Sequence, residues 1–290
     1  MKNNLPTQFF KKRTFILLFL LFNNSPLLYP QYTETEMALY NVGLGAVVGG
    51  IGAIINKTKT EKTAHVFVKG FAKGALGGFL VYESKSLIRN IEKHQKLEYS
   101  WPAKIVNAAG TSIIEGAALN NRFLSTWHLH IGFNRLELKS SDTWKLRYKV
   151  MPVSFVYTSY AAFGNKFEWE NTLRAGEIMF SNASMSDGGF NYANVFVYNS
   201  SLPYYKAIIA HEIIHTYQYY DFNFVNAFIH KPISRLEGNS DFLKRLEPIL
   251  YYDLQNPVFR VFYNLEGTDN VNFHDNFFEY EAGLWSNTLQ

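Results

Sequence analysis

Two different periods of apolar and polar residues divide this chain. Residues 37–55 carry no charge and are rich in glycine, and residues 66–82 repeat that texture with Gly70, Gly74 and Gly78 four positions apart. Residues four apart share a helix face. Small ones there let two helices approach closely, in water or in a bilayer. The pattern predicts a helical hairpin joined across residues 56–63. The first stretch is about long enough to span a bilayer, whereas Lys69 and Lys73 argue against burying the second in lipid. A soluble hairpin and a membrane-inserted one both remain open. Residues 84–96 continue as a charged helix, Trp101-Pro102 breaks it, and residues 103–124 read as the next helix. The period then shortens to two. Residues 127–138 and 144–150 alternate, residues 153–160 are aromatic and β-branched, and a turn falls at 140–142, all of which predicts strands. Residues 177–180 and 194–198 read as two more strands around a loop at 184–189. After Tyr198 the helical period returns. A helix is expected over 202–220, with Ser201 as its cap and Pro203 in its first turn, and a last helix over 276–288. The class is α+β, with an antiparallel sheet packed on a helix.

The N-terminus changes the picture of where the protein works. Lys11, Lys12 and Arg13 precede the apolar run 14–22, and Asn23-Asn24 follows. A basic flank and a short apolar run fit a secretory signal better than a spanning helix. Cleavage is expected before Tyr32, with an uncleaved anchor as the alternative. The expected organisation is residues 1–31 as signal peptide or signal anchor, 32–125 as a glycine-rich helical region, and 126–290 as a β-rich segment with a helical metal site. The expected location is the periplasm or cell envelope, and residues 14–22 and 37–55 are where a membrane would be met.

Composition mainly excludes. At 47 % hydrophobic and 17 % aromatic the chain can fill a core, which disordered segments cannot. The net charge is only +4, and the basic residues form no block interleaved with aromatics, so nucleic acid is not an expected partner. There is no cysteine. Disulfides, a thiol nucleophile and thiolate ligands are excluded, and any metal must be held by histidine and carboxylate. No phosphate-binding glycine loop, dinucleotide fingerprint or G-x-S-x-G is present.

The chemistry is concentrated in His211-Glu212-Ile213-Ile214-His215, an H-E-x-x-H. One helical turn separates the histidines, so both imidazoles leave one face of the predicted helix. That suits two ligands of a tetrahedral zinc ion, with Glu212 able to reach a water at the metal. A third ligand must be a carboxylate, because no histidine follows at a useful spacing. Three candidates stand. Glu279 and Glu281 lie in the last helix, about 200° apart around it, so only one can face the metal. Glu237 lies in Glu237-Gly-Asn-Ser-Asp241, where Gly238-Asn239 reads as a turn. His128 and His130 share a strand face but have no third ligand in reach. Tyr217, Tyr219 and Tyr220 are candidate hydrogen-bond donors to an oxyanion, among 19 tyrosines.

An H-E-x-x-H followed on a later helix by E-x-x-A-D or E-x-E-A-D resembles the gluzincin zinc peptidases. The resemblance covers these two short motifs. It implies a zincin-like fold, Glu279 as third ligand beside His211 and His215, Zn²⁺ as cofactor and Glu212 as general base. Ala282 matches the motif's alanine. Gly283 stands where the family has an aspartate that orients a ligand histidine, leaving Asp275 or Asp221 to replace it. Residues 237–241 resemble the second motif of thermolysin-like enzymes, which is the case for Glu237. By analogy with zincins, residues 194–198 are the expected edge strand for an extended peptide. The implied function is an exported zinc metallopeptidase acting on peptides or proteins. The missing aspartate motivates an alternative, an envelope binding protein with a structural or degenerate metal site. A third reading is a membrane-packing protein built on the glycine-rich hairpin.

Overall fold

Glycine decides how the N-terminal half packs. In a computed structural model, which describes residues 32–140, 143–267 and 273–289, helix α1 (Glu34–Asn56) runs back along α2 (Thr63–His94). The expected export segment lies outside the described residues. A Cβ on Gly45 would sit 2.3 Å from the carbonyl oxygen of Gly74, and one on Gly49 would sit 2.4 Å from that of Gly70. The two backbones therefore touch, and only glycine fits between them. Helix α3 (Ser100–Ala118) packs on α2 in the same way, through Gly77 and Gly110. Thr33 and Glu36 close α1 with a reciprocal capping box, satisfying amide groups left open at a helix start. By length and composition α1 could cross a membrane, and 44 % of its most apolar window is buried inside the molecule. Helix α2 runs unbroken from the glycine-rich stretch into the charged one, as the continuation over residues 84–96 predicts. Trp101-Pro102 opens α3, because proline is tolerated in a first helical turn.

The β-rich segment forms two sheets. Strands β1 (Thr126–Ile131), β2 (Asn134–Ser140) and β3 (Trp144–Val150) make an antiparallel meander, turning at Gly132, whose φ is +55°. Its buried face is the polar one. His128, His130, Arg135, Glu137 and Lys149 point inward, while Trp144 and Leu146 are exposed. Arg135 holds that face together, at 2.9 Å from Glu115 of α3 and 2.7 Å from Glu137.

Residues 153–160 correct the expectation of a strand: they belong to helix α4 (Pro152–Ala162). Met151 offers no side-chain cap, and a residue a hundred positions away supplies one instead. The Asp253 carboxylate accepts from the amides of Val153, at 2.9 Å, and Ser154, at 2.7 Å. Pro152 presets the first turn. The β-branched texture was a weaker signal than this long-range cap.

The second sheet is mixed, which corrects the purely antiparallel expectation. It comprises β4 (Lys166–Phe167), β5 (Ile178–Ser181), β6 (Gly189–Asn191) and β7 (Val195–Tyr198), with α5 (Trp169–Ala175) between β4 and β5. Its order is β4-β5-β7-β6, with β5 and β7 parallel. Strand β7 is therefore internal and fully buried, so residues 194–198 are not the edge. The edge is β6.

Helix α6 (Tyr205–Asp221) begins three residues later than expected, at an uncapped Tyr204. Ser201 instead bonds Asn199. Every residue from Ala207 to Asp221 is buried except His211. A helix buried all round is a core helix, and α6 is packed by α2, by β6 and β7, and by α10 (Phe277–Ser286). Helices α7 (Phe224–Gly238), α8 (Asp241–Leu246) and α9 (Gln255–Gly267) connect α6 to α10. Asn276 caps α10 by accepting from the amides of Phe278, at 2.9 Å, and Glu279, at 3.4 Å. That bond fixes the start of the helix that carries the last carboxylates.

Candidate metal centre

The turn of α6 and the first turn of α10 bring three side chains to one point. His215 Nε2 lies 3.0 Å from His211 Nε2 and 3.3 Å from Glu279 Oε2, and His211 Nε2 lies 3.1 Å from the same oxygen. Four tetrahedral ligands at about 2.0–2.1 Å from zinc stand roughly 3.3 Å from one another. The observed triangle fits that edge length with one corner left over. Among the described residues this is the group of histidine and carboxylate side chains arranged to share an ion.

Hydrogen bonds on the far side of each ligand determine where its lone pair points. His215 Nδ1 meets Gln218 Oε1 at 2.8 Å. Gln218 is oriented by its own donors, since its Nε2 gives to Phe278 O at 2.8 Å and to Glu281 Oε2 at 3.0 Å. The Gln218 oxygen therefore accepts from His215 Nδ1, which leaves the Nε2 lone pair facing the centre. His211 Nδ1 meets Thr288 Oγ1 at 3.3 Å, Thr288 meets Ser286 at 2.8 Å, and Ser286 donates to Ala282 O at 2.7 Å. Followed back, that chain makes Thr288 the acceptor, so His211 also turns an Nε2 lone pair inward. Tyr263 donates to Glu279 Oε1, which leaves Oε2 for the centre.

Three acceptors thus converge with no donor between them, an arrangement that requires a positive charge. In the metal-free protein a proton serves. Burial opposes charging His215, but the adjacent Glu279, Glu212 and the Gln218 bond outweigh it and carry its pKa up to about 9. Burial likewise opposes ionising Glu279, yet His215 and His211 hold it well below the usual carboxylate range. Burial lowers His211 despite its bond to Glu279. A divalent cation supplies the same positive charge and meets the donor set of two imidazoles and a carboxylate that suits zinc.

Glu212 sits beside this triangle rather than in it. It is 4 % exposed, and its Oε2 has no hydrogen-bond partner. Burial, reinforced by Glu279 and partly opposed by His215, pushes its pKa up to about 8. Its other oxygen lies against β6, where a Cβ on Gly189 would come within 2.5 Å of it. Asn191 of β6 ties the strand to α6 by donating to Glu212 O at 2.9 Å and Thr216 Oγ1 at 3.0 Å. An orphaned, buried carboxylate oxygen is costly. It is also the group expected where a reacting water belongs.

The other sequence candidates are placed elsewhere. Glu281 is fully buried on the opposite side of α10, where Lys85 Nζ pairs with it at 2.9 Å. Glu237 is half-buried near the end of α7 and takes no part in the group. Asp221 does not orient a histidine either, because it pairs with Lys85 at 2.6 Å. The orienting acceptors are Gln218 and Thr288, neither of them a carboxylate. A Cβ at Gly283 would lie 2.7 Å from the end of the Leu289 side chain, a contact that this side chain can relieve by turning. His128 and His130 are buried and stacked at 5.0 Å, and His130 meets Arg135 at 3.0 Å. Burial first, then Arg135, drives the pKa of both well down, which is core polarity rather than a metal pair. Tyr219 packs on Phe259 at 4.3 Å and Tyr220 on His130 at 4.8 Å. Tyr263 is the tyrosine that reaches the centre. Gln218, one turn beyond His215, carried a signal in its spacing. Tyr263 and Thr288 carried none.

The buried His211-Glu212-x-x-His215 and the downstream Glu279 have the ligand arrangement of gluzincin metal centres. No protein-family model matches the chain, and no curated protein or solved structure is significantly similar to it. The likeness is therefore one of site geometry.

Proposed function

We propose that this protein is an exported zinc-dependent peptidase that hydrolyses peptide bonds with an activated water. The observation that carries this reading is the convergence of two imidazole lone pairs and a carboxylate oxygen, each oriented from behind, beside an unpartnered Glu212 oxygen. When bound, zinc supplies a Lewis acid and lowers the pKa of a water towards about 7. His211, His215 and Glu279 hold the ion. Glu212 takes the proton of the attacking water and passes it to the leaving amine. The free side of β6, held to α6 by Asn191, offers main-chain groups to an extended peptide. Export rests on the basic flank and apolar run ahead of Tyr32, and α1 gives a second apolar element for meeting a membrane. The proposed organisation remains an export segment over 1–31, a helical region over 32–125 and the metal-site region over 126–290.

The test joins metal content to turnover. The parent protein is expected to carry about one zinc per chain and Glu279→Ala to lose it. Glu212→Gln should retain the zinc while hydrolysis of a mixed peptide library falls by at least about 10²-fold, the scale of general-base catalysis. Gly283 in place of an aspartate favours a second reading, a metal-bearing binding protein. Peptide binding with zinc bound and no hydrolysis in the parent would decide for it.

A further inference from the structure

A buried lysine from the N-terminal hairpin stands behind the metal centre. Lys85 of α2 is fully buried. Its ammonium lies 2.9 Å from Glu281 Oε2 and 2.6 Å from Asp221 Oδ2. Glu281 in turn accepts from Gln218 Nε2 at 3.0 Å, and Gln218 accepts from His215 Nδ1 at 2.8 Å. Asn41 of α1 completes the shell. It donates to Glu281 Oε1 at 3.0 Å and accepts from Lys85 at 3.0 Å. Taking such charges out of water costs several kcal/mol per ion, and apolar residues of similar volume often serve stability as well or better. Stability alone therefore does not account for this cluster. Its connectivity does, because one branch ends on a metal-facing histidine.

We propose that Lys85 and Glu281 are positioning residues for the metal centre, acting through Gln218 to hold the ring of His215 with its Nε2 lone pair turned inward. Glu281 is surrounded by donors on every side: Lys85, Asn41 Nδ2 and Gln218 Nε2. Together with the Phe278 carbonyl, which accepts from Gln218 Nε2 at 2.8 Å, acceptors at both Glu281 oxygens keep the Gln218 amide oriented with its oxygen towards His215. An amide at position 281 would place a donor against donors and favour a flipped Gln218, which would then present a donor to His215 Nδ1. The opposite tautomer would follow, with a proton on the nitrogen that should face the ion. Asp221 lies on the other branch from Lys85 and touches neither Gln218 nor His215 in this network. The N-terminal hairpin is thus a buttress of the site. The device takes the place of the carboxylate that Gly283 cannot supply.

This inference rests on the metal-centre reading, and its test separates the two. Zinc affinity is measured by competition with a chromophoric chelator for the full chain, Glu281→Gln and Asp221→Asn. The hydrogen-bonded Nδ1 proton of His215 is followed by NMR in the metal-free forms above pH 9, where the ring is neutral and a single proton distinguishes the two tautomers. Both substitutions neutralise one carboxylate beside the same lysine, so general loosening of the core would affect them alike. The expected result is a 10–100-fold weaker zinc affinity for Glu281→Gln, the usual scale for losing an outer partner of a ligand, with loss of the protected Nδ1 proton. Asp221→Asn should stay within about twofold of the parent and keep that proton. Equal weakening in both variants, or parental affinity in Glu281→Gln, would overturn the proposal. A parent that binds no zinc overturns the metal-centre reading instead, and the Nδ1 proton still reports on the positioning of His215. Should Glu281→Gln fail to fold, Gln218→Met removes the same acceptor without unpairing a charge, and parental affinity there overturns the proposal equally.

Discussion

At the scale of single residues, Gly189 and His215 carry the sharpest consequences. A methyl group at Gly189 would come within 2.5 Å of Glu212 Oε1 and 2.9 Å of Ile208. The carboxylate can swing aside more cheaply than the backbone can move. Gly189→Ala is therefore expected to cost only about 1 kcal/mol of stability, to leave zinc content unchanged, and to cut hydrolysis at least tenfold. Metal analysis beside turnover checks it, and unchanged turnover would remove β6 from the placement of Glu212. The protonation of the centre gives a second expectation. In the metal-free protein His215 is carried up to about 9 from 6.5 and Glu212 up to about 8 from 4.5. A raised pKa means that the folded state holds the proton more tightly than the unfolded chain does. Stability from it is complete below the unfolded value and lost as pH rises through the folded one. Glu279, held low, acts in the opposite sense: its contribution is present above its ordinary value and lost on acidification. The metal-free melting temperature should therefore fall as pH rises from about 4.5 to 9, most steeply above 6.5 where both groups contribute, and excess zinc should shrink that fall by displacing the His215 proton. Melting curves with and without chelator measure it. A flat metal-free profile over that range would count against the protonated centre.

At the scale of elements, the α1–α2 contact separates glycines that are structural from one that is not. A Cβ at Gly74 would lie 2.0 Å from the carbonyl oxygen of Gly45, while a Cβ at Gly43 would meet nothing within 4 Å. Gly74→Ala should lower stability by at least about 2 kcal/mol, within the usual cost of overpacking. Gly43→Ala should raise it by up to about 1 kcal/mol through helix propensity. Urea unfolding midpoints compare the two, and shifts of the same sign would contradict the packing. Helix α4 teaches a related lesson. Its β-branched and aromatic residues read as a strand, yet Pro152 and the Asp253 carboxylate start a helix.

At the scale of the whole molecule, the metal-facing side chains come from α6 and α10, but what orients them comes from almost everywhere else. Lys85 and Asn41 belong to the hairpin, Tyr263 to α9, Thr288 to the segment after α10, and Asn191 and Gly189 to β6. The three-stranded sheet shows the same logic in its core. Its inward ionic face is balanced by Glu115 of α3, while Trp144 and Leu146 face out.

The sequence alone determined the local features of this protein. The spacing of His211 and His215 puts two imidazoles on one helix face whatever surrounds that helix, and glycines four apart mark a face on which another backbone can rest. Asn276 caps the last helix from its own first turn, so the neighbourhood of Glu279 was legible too. Everything that depends on meeting a distant residue was decided by the tertiary structure. It chose Glu279 over Glu281 and Glu237, because only the packing of α10 on α6 sets which face of the last helix looks inward. It placed β7 inside its sheet and β6 at the edge. It turned residues 152–162 into a helix through Asp253, and it gave the orienting of His215 to Gln218 and the buried pair behind it. The reason is the same throughout. Periodicity encodes which side of an element is buried, but not what the buried side will touch.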